Sequence, residues 1–332
     1  MTGLTDSFSR PITYLRISVT DRCNLRCLYC MPSQGLSLAP RKEMLRYEEI
    51  YQVVAAAAEL GVHKVRLTGG EPLVRADILE LVAMLGQIPG LDDLGLTTNG
   101  ILLRRYAASL KEAGLKRVNV SLDTLREERF RQITGRPWLP EVLAGIEAAY
   151  QAGLRPVKIN MVVLRGVNDD EVLDFARSTM TRDWHVRFIE LMPFGEEESC
   201  QAINEDERFV SAAEVQERLS VLGPLEPHYP AVGGGPARYF RYRGAVGTIG
   251  FISPVSEHFC FGCNRMRLTA DGRLRPCLLD DREIDLRTPL RHGATEEELK
   301  ALLARAVWEK PEHHRLKEGL VPSARPMRQI GG

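Results

Sequence analysis

The chain is 332 residues long, enough for one large α/β domain or for one such domain with a smaller appendage. Its 44 basic residues balance 44 acidic ones, which excludes a global field drawing it to nucleic acid or lipid and leaves anion preference to local clusters of cations. No run of about 18 apolar residues argues for a membrane span, and residues 1–9 lack the apolar core of a signal peptide, so a cytoplasmic protein is expected.

Short β-branched runs alternate with helical patterns through the first two-thirds of the sequence. Strands are predicted at 12–19, 64–67, 94–98, 117–122, 157–163 and 186–191. Helices are predicted over 47–60, 76–86, 102–113, 126–133, 139–152 and 170–180. Such alternation implies parallel strands joined by right-handed crossovers. Six units fall short of the eight that close a full barrel. The expectation is an α/β fold, an incomplete (βα)6 TIM-type barrel over residues 1–230, with an open doubly wound sheet as the alternative.

The pattern changes after Pro193. Residues 195–207 are acidic and loop-like, and Ser211 followed by Glu214 resembles a helix start before 212–221. Gly233-Gly234-Gly235-Pro236 reads as a linker, so a smaller C-terminal domain is expected over 231–332. There, 238–243 and 246–251 look like two strands around Gly244. A helix is predicted near 295–308, and the sequence ends in Gly331-Gly332.

Strand faces carry the next clue, because residues two apart share a face. Leu15, Ile17 and Val19 oppose Arg16, Ser18 and Thr20. Val65 and Leu67 oppose Arg66 and Thr68, and Gly95, Thr97 and Asn99 form a small polar row. Val118, Val120 and Leu122 oppose Asn119, Ser121 and Asp123, while Val157, Ile159 and Met161 oppose Lys158 and Asn160. The apolar faces are needed to hold the helices. The polar faces must line something wet or liganded, in a lumen carrying Arg16, Arg66 and Lys158.

Six of the seven cysteines form two groups, Cys23, Cys27, Cys30 and Cys260, Cys263, Cys277; Cys200 stands alone and is expected to be an unliganded thiol. Such spacing reads as metal ligation. Fe–S clusters are normally held by four thiolates, so a C-x3-C-x2-C loop with no fourth cysteine nearby would leave one iron open. A structural zinc site would want a fourth protein ligand and a closed shell. In the second group, Cys260-Phe261-Gly262-Cys263 precedes an Asp271-Gly272 hairpin signal that would return Cys277 beside the pair. Zinc remains an alternative there, since His258 could be a fourth ligand. Arg265 and Arg267 lie two apart on that hairpin, and guanidinium forks suit phosphate. With Arg16, Arg66 and Lys158 they would form a cationic cup for a polyanion such as a nucleoside triphosphate.

C-x3-C-x2-C with Tyr29 before its last cysteine resembles the defining motif of the radical S-adenosylmethionine superfamily. Thr68-Gly69-Gly70-Glu71-Pro72 is similar to that superfamily's GGEP motif. The resemblance implies that the open iron chelates the amino and carboxylate groups of S-adenosylmethionine. It also implies that Tyr29, Gly69, Gly70, Glu71, Ser121 and Met192 lie beside that cofactor. Adding the second trio, the Arg265-Met266-Arg267 segment and the Gly-Gly ending, the whole chain resembles the GTP 3′,8-cyclase family, which catalyses the first step of molybdenum cofactor biosynthesis.

That resemblance implies two 4Fe-4S clusters, with residues 231–332 forming an iron–sulfur domain. A 5′-deoxyadenosyl radical would take hydrogen from C3′ of GTP, and the carbon radical would attack guanine C8. Arg16, Arg66, Thr97, Lys158, Arg265, Met266 and Arg267 would fix the GTP, while Arg265, Arg267, Gly331 and Gly332 would serve the radical step. Implied partners are an electron donor of flavodoxin or ferredoxin type and a downstream cyclic pyranopterin monophosphate synthase, and a homodimer is compatible with it. Two rival readings stay open: a peptide maturase with an auxiliary cluster, and a zinc-stabilised, non-enzymatic binding protein.

Overall fold

The computed structural model describes residues 3–30, 38–193, 205–229, 235–322 and 325–331. The first two-thirds follow the predicted alternation. Strands β1 (Tyr14–Ser18), β2 (Lys64–Thr68), β3 (Asp93–Thr98), β4 (Arg117–Ser121), β5 (Val157–Val163) and β6 (Trp184–Glu190) pair in sequence order, every pairing parallel. The crossovers carry helices α1 (Tyr47–Glu59), α2 (Ile78–Gly86), α3 (Leu103–Glu112), α4 (Glu127–Thr134), α5 (Leu139–Gln151) and α6 (Val172–Thr181).

Amphipathic spacing explains how these helices pack. On α1, Ile50, Val53, Val54 and Ala57 fall on one face and are buried. They and their counterparts cover the strand face of Leu15, Ile17, Val65, Leu67, Val118, Val120 and Ile159, all part of one core. Full burial of each such side chain contributes roughly 1.5–3 kcal/mol, so the register of every strand is strongly held. The polar alternates are thereby turned to the other side of the sheet.

The C-terminal third departs from the expectation of a separate unit. β9 (Thr248–Ile252) adds parallel to β6, and β10 (Arg265–Leu268) adds parallel to β1. Beyond them the sheet continues antiparallel, through β8 (Arg238–Tyr242) and β7 (Leu225–Pro227) on one side, and β11 (Arg273–Arg275) and β12 (Ile284–Asp285) on the other. Among the described residues the result is one twelve-stranded sheet, β12-β11-β10-β1-β2-β3-β4-β5-β6-β9-β8-β7. The fold is therefore the expected incomplete barrel, with its wall extended at both edges by C-terminal strands. The boundary expected at 230 does not divide the sheet.

The strand pair around Gly244 is present as β8–β9, and the Asp271-Gly272 hairpin as β10–β11. Cys200, most of the acidic stretch 195–207, the glycines 233–234 and Gly332 lie outside the described residues.

Candidate active site

Cys23, Cys27 and Cys30 lie in the loop after β1 and line one cavity at the C-terminal ends of the strands. The loop hangs on α4, because Arg26 N–H donates to Thr134 O at 2.9 Å and Leu28 N–H to Ile133 O at 3.0 Å. It also presses against the end of β2. Gly70 N–H donates to Thr20 O at 2.7 Å and Glu71 N–H to Arg22 O at 2.8 Å. A Cβ on Gly69 would stand 2.4 Å from Thr20 O, and one on Gly70 2.3 Å from Arg22 O, so only glycine permits this approach.

Gly69, Gly70, Tyr29, Ser121 and Met192 all line the first trio's cavity. Glu71 is not among the residues that line it. Its buried carboxylate turns away from the cavity and accepts from Asn99 N–H at 2.7 Å, Thr98 Oγ1 at 2.8 Å and Leu73 N–H at 3.0 Å. A buried carboxyl needs such donors; even so, burial raises it to about 7. Through Asn99, whose Nδ2 donates to Asn24 Oδ1 at 2.7 Å, it braces the cysteine loop instead. Asp123 is a lining residue that the polar row on β4 pointed to without a role. It accepts from the Tyr29 hydroxyl at 2.6 Å and from Val162 N–H at 2.9 Å, and burial lifts it to about 6.

Cys260 and Cys263 sit on the turn between β9 and β10, and the hairpin returns Cys277 beside them. Their cavity is lined by Arg16, Arg66, Lys158, Arg265 and Arg267, as expected, and also by Lys64, Arg117, Arg187 and Lys310. Among the described residues, no aspartate or glutamate lines it. Asp93 pairs with Lys64 at 3.4 Å and with Arg117. Arg187 was legible in principle: it alternates with Val186 and Phe188, which are buried in the core.

The Met266 side chain does not reach this cavity. Arg265 and Arg267 both face the cavity, so the two-residue period of β10 turns Met266 into the hydrophobic core. Thr97 lines the first trio's cavity rather than the cationic one, and its hydroxyl accepts from Asn119 Nδ2 at 3.4 Å.

The electrostatics of the cationic cavity are one-sided. Burial, then Arg187 and Arg117, bring the Lys158 ammonium down to about 6. For Tyr14, burial acts upward but Arg16, Arg66 and Lys64 outweigh it, bringing the phenol to about 6. Burial likewise opposes ionisation of Cys263, yet Arg265 and Lys310 prevail and lower that thiol to about 6. In the first trio burial dominates instead, raising all three thiols, Cys30 to about 11. A cation bound there would have to displace the protons.

The two cavities adjoin, since Asn160, Ile189 and Met192 line both. Gly331 lies at their seam. Its carbonyl accepts from Arg267 Nη1, and Thr68 of the first cavity packs against its Cα. The preceding Ile330 is buried against Leu279 and Met327. Both trios present three thiols to a cavity, a donor set that suits a polynuclear cluster with one open corner. Among the described residues, no three Cys, His, Asp or Glu side chains come together tightly enough for a single metal ion. His258, the fourth zinc ligand of the alternative reading, instead packs edge-on against His314, with ring centroids 5.5 Å apart.

Residues 17–179 match the family model of the Radical SAM superfamily, and residues 184–316 match that of Molybdenum Cofactor Synthesis C. The chain is 56% identical over 328 residues to a GTP 3′,8-cyclase of Pelotomaculum thermopropionicum, covering 98% of this chain and 99% of the relative. It is 54% identical over 327 residues to one of Moorella thermoacetica, with the same coverage. Among solved structures, Streptococcus suis SuiB bound to S-adenosylmethionine superposes with a TM-score of 0.55 at 14% identity, over 87% of this chain and 68% of that one. Native anSMEcpe with bound AdoMet and a peptide superposes at 0.56 and 15% identity, over 93% and 82%. These two likenesses speak for the fold alone.

Proposed function

The chain belongs to the GTP 3′,8-cyclases of the radical S-adenosylmethionine superfamily, and from that premise we propose that its two cysteine trios each hold a 4Fe-4S cluster, with GTP bound between them. The enzyme acts in molybdenum cofactor biosynthesis, converting GTP to 3′,8-cyclo-7,8-dihydro-GTP with one 4Fe-4S cluster and S-adenosylmethionine. When bound, the first cluster supplies the electron that splits S-adenosylmethionine into methionine and a 5′-deoxyadenosyl radical.

The observation that carries the reading is the junction of a thiol-lined cavity with a second one to which the described residues contribute nine cations and three thiols but no carboxylate. Cys23, Cys27 and Cys30 hold the first cluster; the Gly69 and Gly70 backbone, Ser121, Tyr29 and Met192 surround the cofactor. Arg16, Arg66, Lys158, Arg265 and Arg267 take the triphosphate, whose charge matches theirs. Thr97 meets the nucleotide from the cofactor's side. Cys260, Cys263 and Cys277 present the second cluster to the guanine.

Gly331 closes the seam, where it excludes water and holds Arg267 in place. The chain's contribution is positioning, because a misplacement of about 1 Å can cost on the order of a hundredfold in rate. The same chemistry requires a low-potential electron donor of flavodoxin or ferredoxin type. It also requires a downstream enzyme that rearranges the cyclised nucleotide, the cyclic pyranopterin monophosphate synthase. No helix among the described residues is long and apolar enough to cross a membrane, in keeping with a cytoplasmic site of action.

The test is anaerobic incubation of reconstituted protein with reductant, S-adenosylmethionine and GTP, followed by mass analysis of the nucleotide and by iron and zinc determination. Cyclised nucleotide and about eight irons per chain are expected. Four irons or stoichiometric zinc would overturn the two-cluster reading, and intact GTP beside a modified peptide would overturn GTP as the substrate.

A further inference from the structure

The segment 310–314, to which neither the cysteine motifs nor the function above gives a role, wraps the second trio. Lys310 is only 3% exposed and lines the cavity of Cys260, Cys263 and Cys277. Its Nζ donates to Arg265 O at 2.9 Å and to Pro276 O. Arg265 lies two residues after Cys263, and Pro276 immediately precedes Cys277. One ammonium therefore ties together the two backbone stretches that carry two of the three thiols.

The third cysteine is tied to the same strap. Arg10 Nη1 donates to Cys260 O at 2.8 Å, while the same guanidinium reaches Pro311 O and Glu312 O, each at 2.6 Å. Asp6 holds Arg10 in place at 2.6 Å. His314 Nε2 donates to Pro254 O at 2.9 Å, fastening the far end.

A neutral donor could satisfy two carbonyls without the cost of burying a charge. The charge acquires a reason if Cys260, Cys263 and Cys277, which line the same cavity as Lys310, are held there as thiolates. We propose that Lys310 is a positioning residue for the second trio, fixing Cys263 against Cys277 and offsetting the negative charge of the cluster they hold, so that it sets that cluster's reduction potential. This rests on the reading that the second trio holds a cluster.

The experiment compares wild-type protein with Lys310→Met and Lys310→Arg after anaerobic reconstitution. Its readouts are iron content, the EPR signals of the two clusters, a redox titration, and cleavage of S-adenosylmethionine without GTP. Lys310→Met should lose the second cluster's iron or shift its potential to more negative values, with an altered EPR signal. The first cluster and S-adenosylmethionine cleavage should persist, and Lys310→Arg should restore part of the shift. An unchanged second-cluster signal and potential in Lys310→Met would overturn the proposal. Loss of both clusters together would overturn it too, because Lys310 would then be a residue of the general fold. Wild-type protein that takes up only four irons would instead overturn the two-cluster reading itself.

Discussion

Replacing Gly331 with alanine should uncouple cleavage of S-adenosylmethionine from cyclisation of GTP. Gly331 has φ +82°, and a Cβ there would stand 2.3 Å from Thr68 Cγ2, on a threonine held in β2 and only 2% exposed. A side chain in left-handed backbone costs about 1–2 kcal/mol, and overpacking against a fixed neighbour about 1–3 kcal/mol. Taking about 2–4 kcal/mol together, the docked tail loses about 30- to 1000-fold in population relative to the undocked one. Arg267 then loses its carbonyl partner, and the seam between the cavities opens to water. The assay is an anaerobic single turnover that quantifies cyclised nucleotide against 5′-deoxyadenosine. Product formation should fall by about tenfold or more, with S-adenosylmethionine cleavage far less affected. Thr68→Ser removes the clashing methyl, so Gly331→Ala combined with Thr68→Ser should recover about tenfold relative to Thr68→Ser alone as reference. A Gly331→Ala enzyme at the wild-type rate, or a double variant no better than the single one, would refute the steric argument.

Three other outcomes are expected. Lys158 and Tyr14 both sit near 6, so a polyanion should raise both, and GTP binding at pH 7.5 should take up as many as about two protons; calorimetry giving the same heat in buffers of different ionisation enthalpy would contradict this. Arg16→Ala should raise KM for GTP about 10- to 100-fold through loss of a charged hydrogen bond, leaving KM for S-adenosylmethionine unchanged; an equal rise in both would misplace Arg16. Glu190 accepts from Ala212 N–H at 2.9 Å and from Val255 and Ser256 N–H, each at 3.0 Å. Glu190→Ala should therefore cost about 3–5 kcal/mol and lower Tm by about 10 °C, and an unchanged melt would show that these donors find other partners.

How much was legible beforehand can be judged residue by residue. Local spacing encodes local geometry, so the C-x3-C-x2-C loop, the Gly69-Gly70 turn and the two-residue alternation of β1, β2, β4 and β5 could be read directly. That alternation placed Arg16, Arg66 and Lys158 in the lumen, where they are found. The same rule, applied to β10, turns the Met266 side chain away from a cavity shared by Arg265 and Arg267, which the family resemblance does not convey. The orientation of Glu71 is hidden for a different reason. A motif names residues that occur together, but which of them turns inward depends on donors such as Asn99 N–H, 28 residues away.

By itself, then, the sequence determined the parallel α/β core, the two trios and the sign of the lumen, because each follows from periodicity or short spacing. Only the tertiary structure decided that β9 and β10 join the central sheet, since strand partners more than 50 residues apart leave no local signal. It alone also brought Arg10, Lys310 and Gly331 to sites built by distant segments. Arg10 and Lys310 donate to backbone carbonyls and Gly331 accepts through its own, and a backbone carbonyl is a group that every residue carries and no composition or motif can reveal.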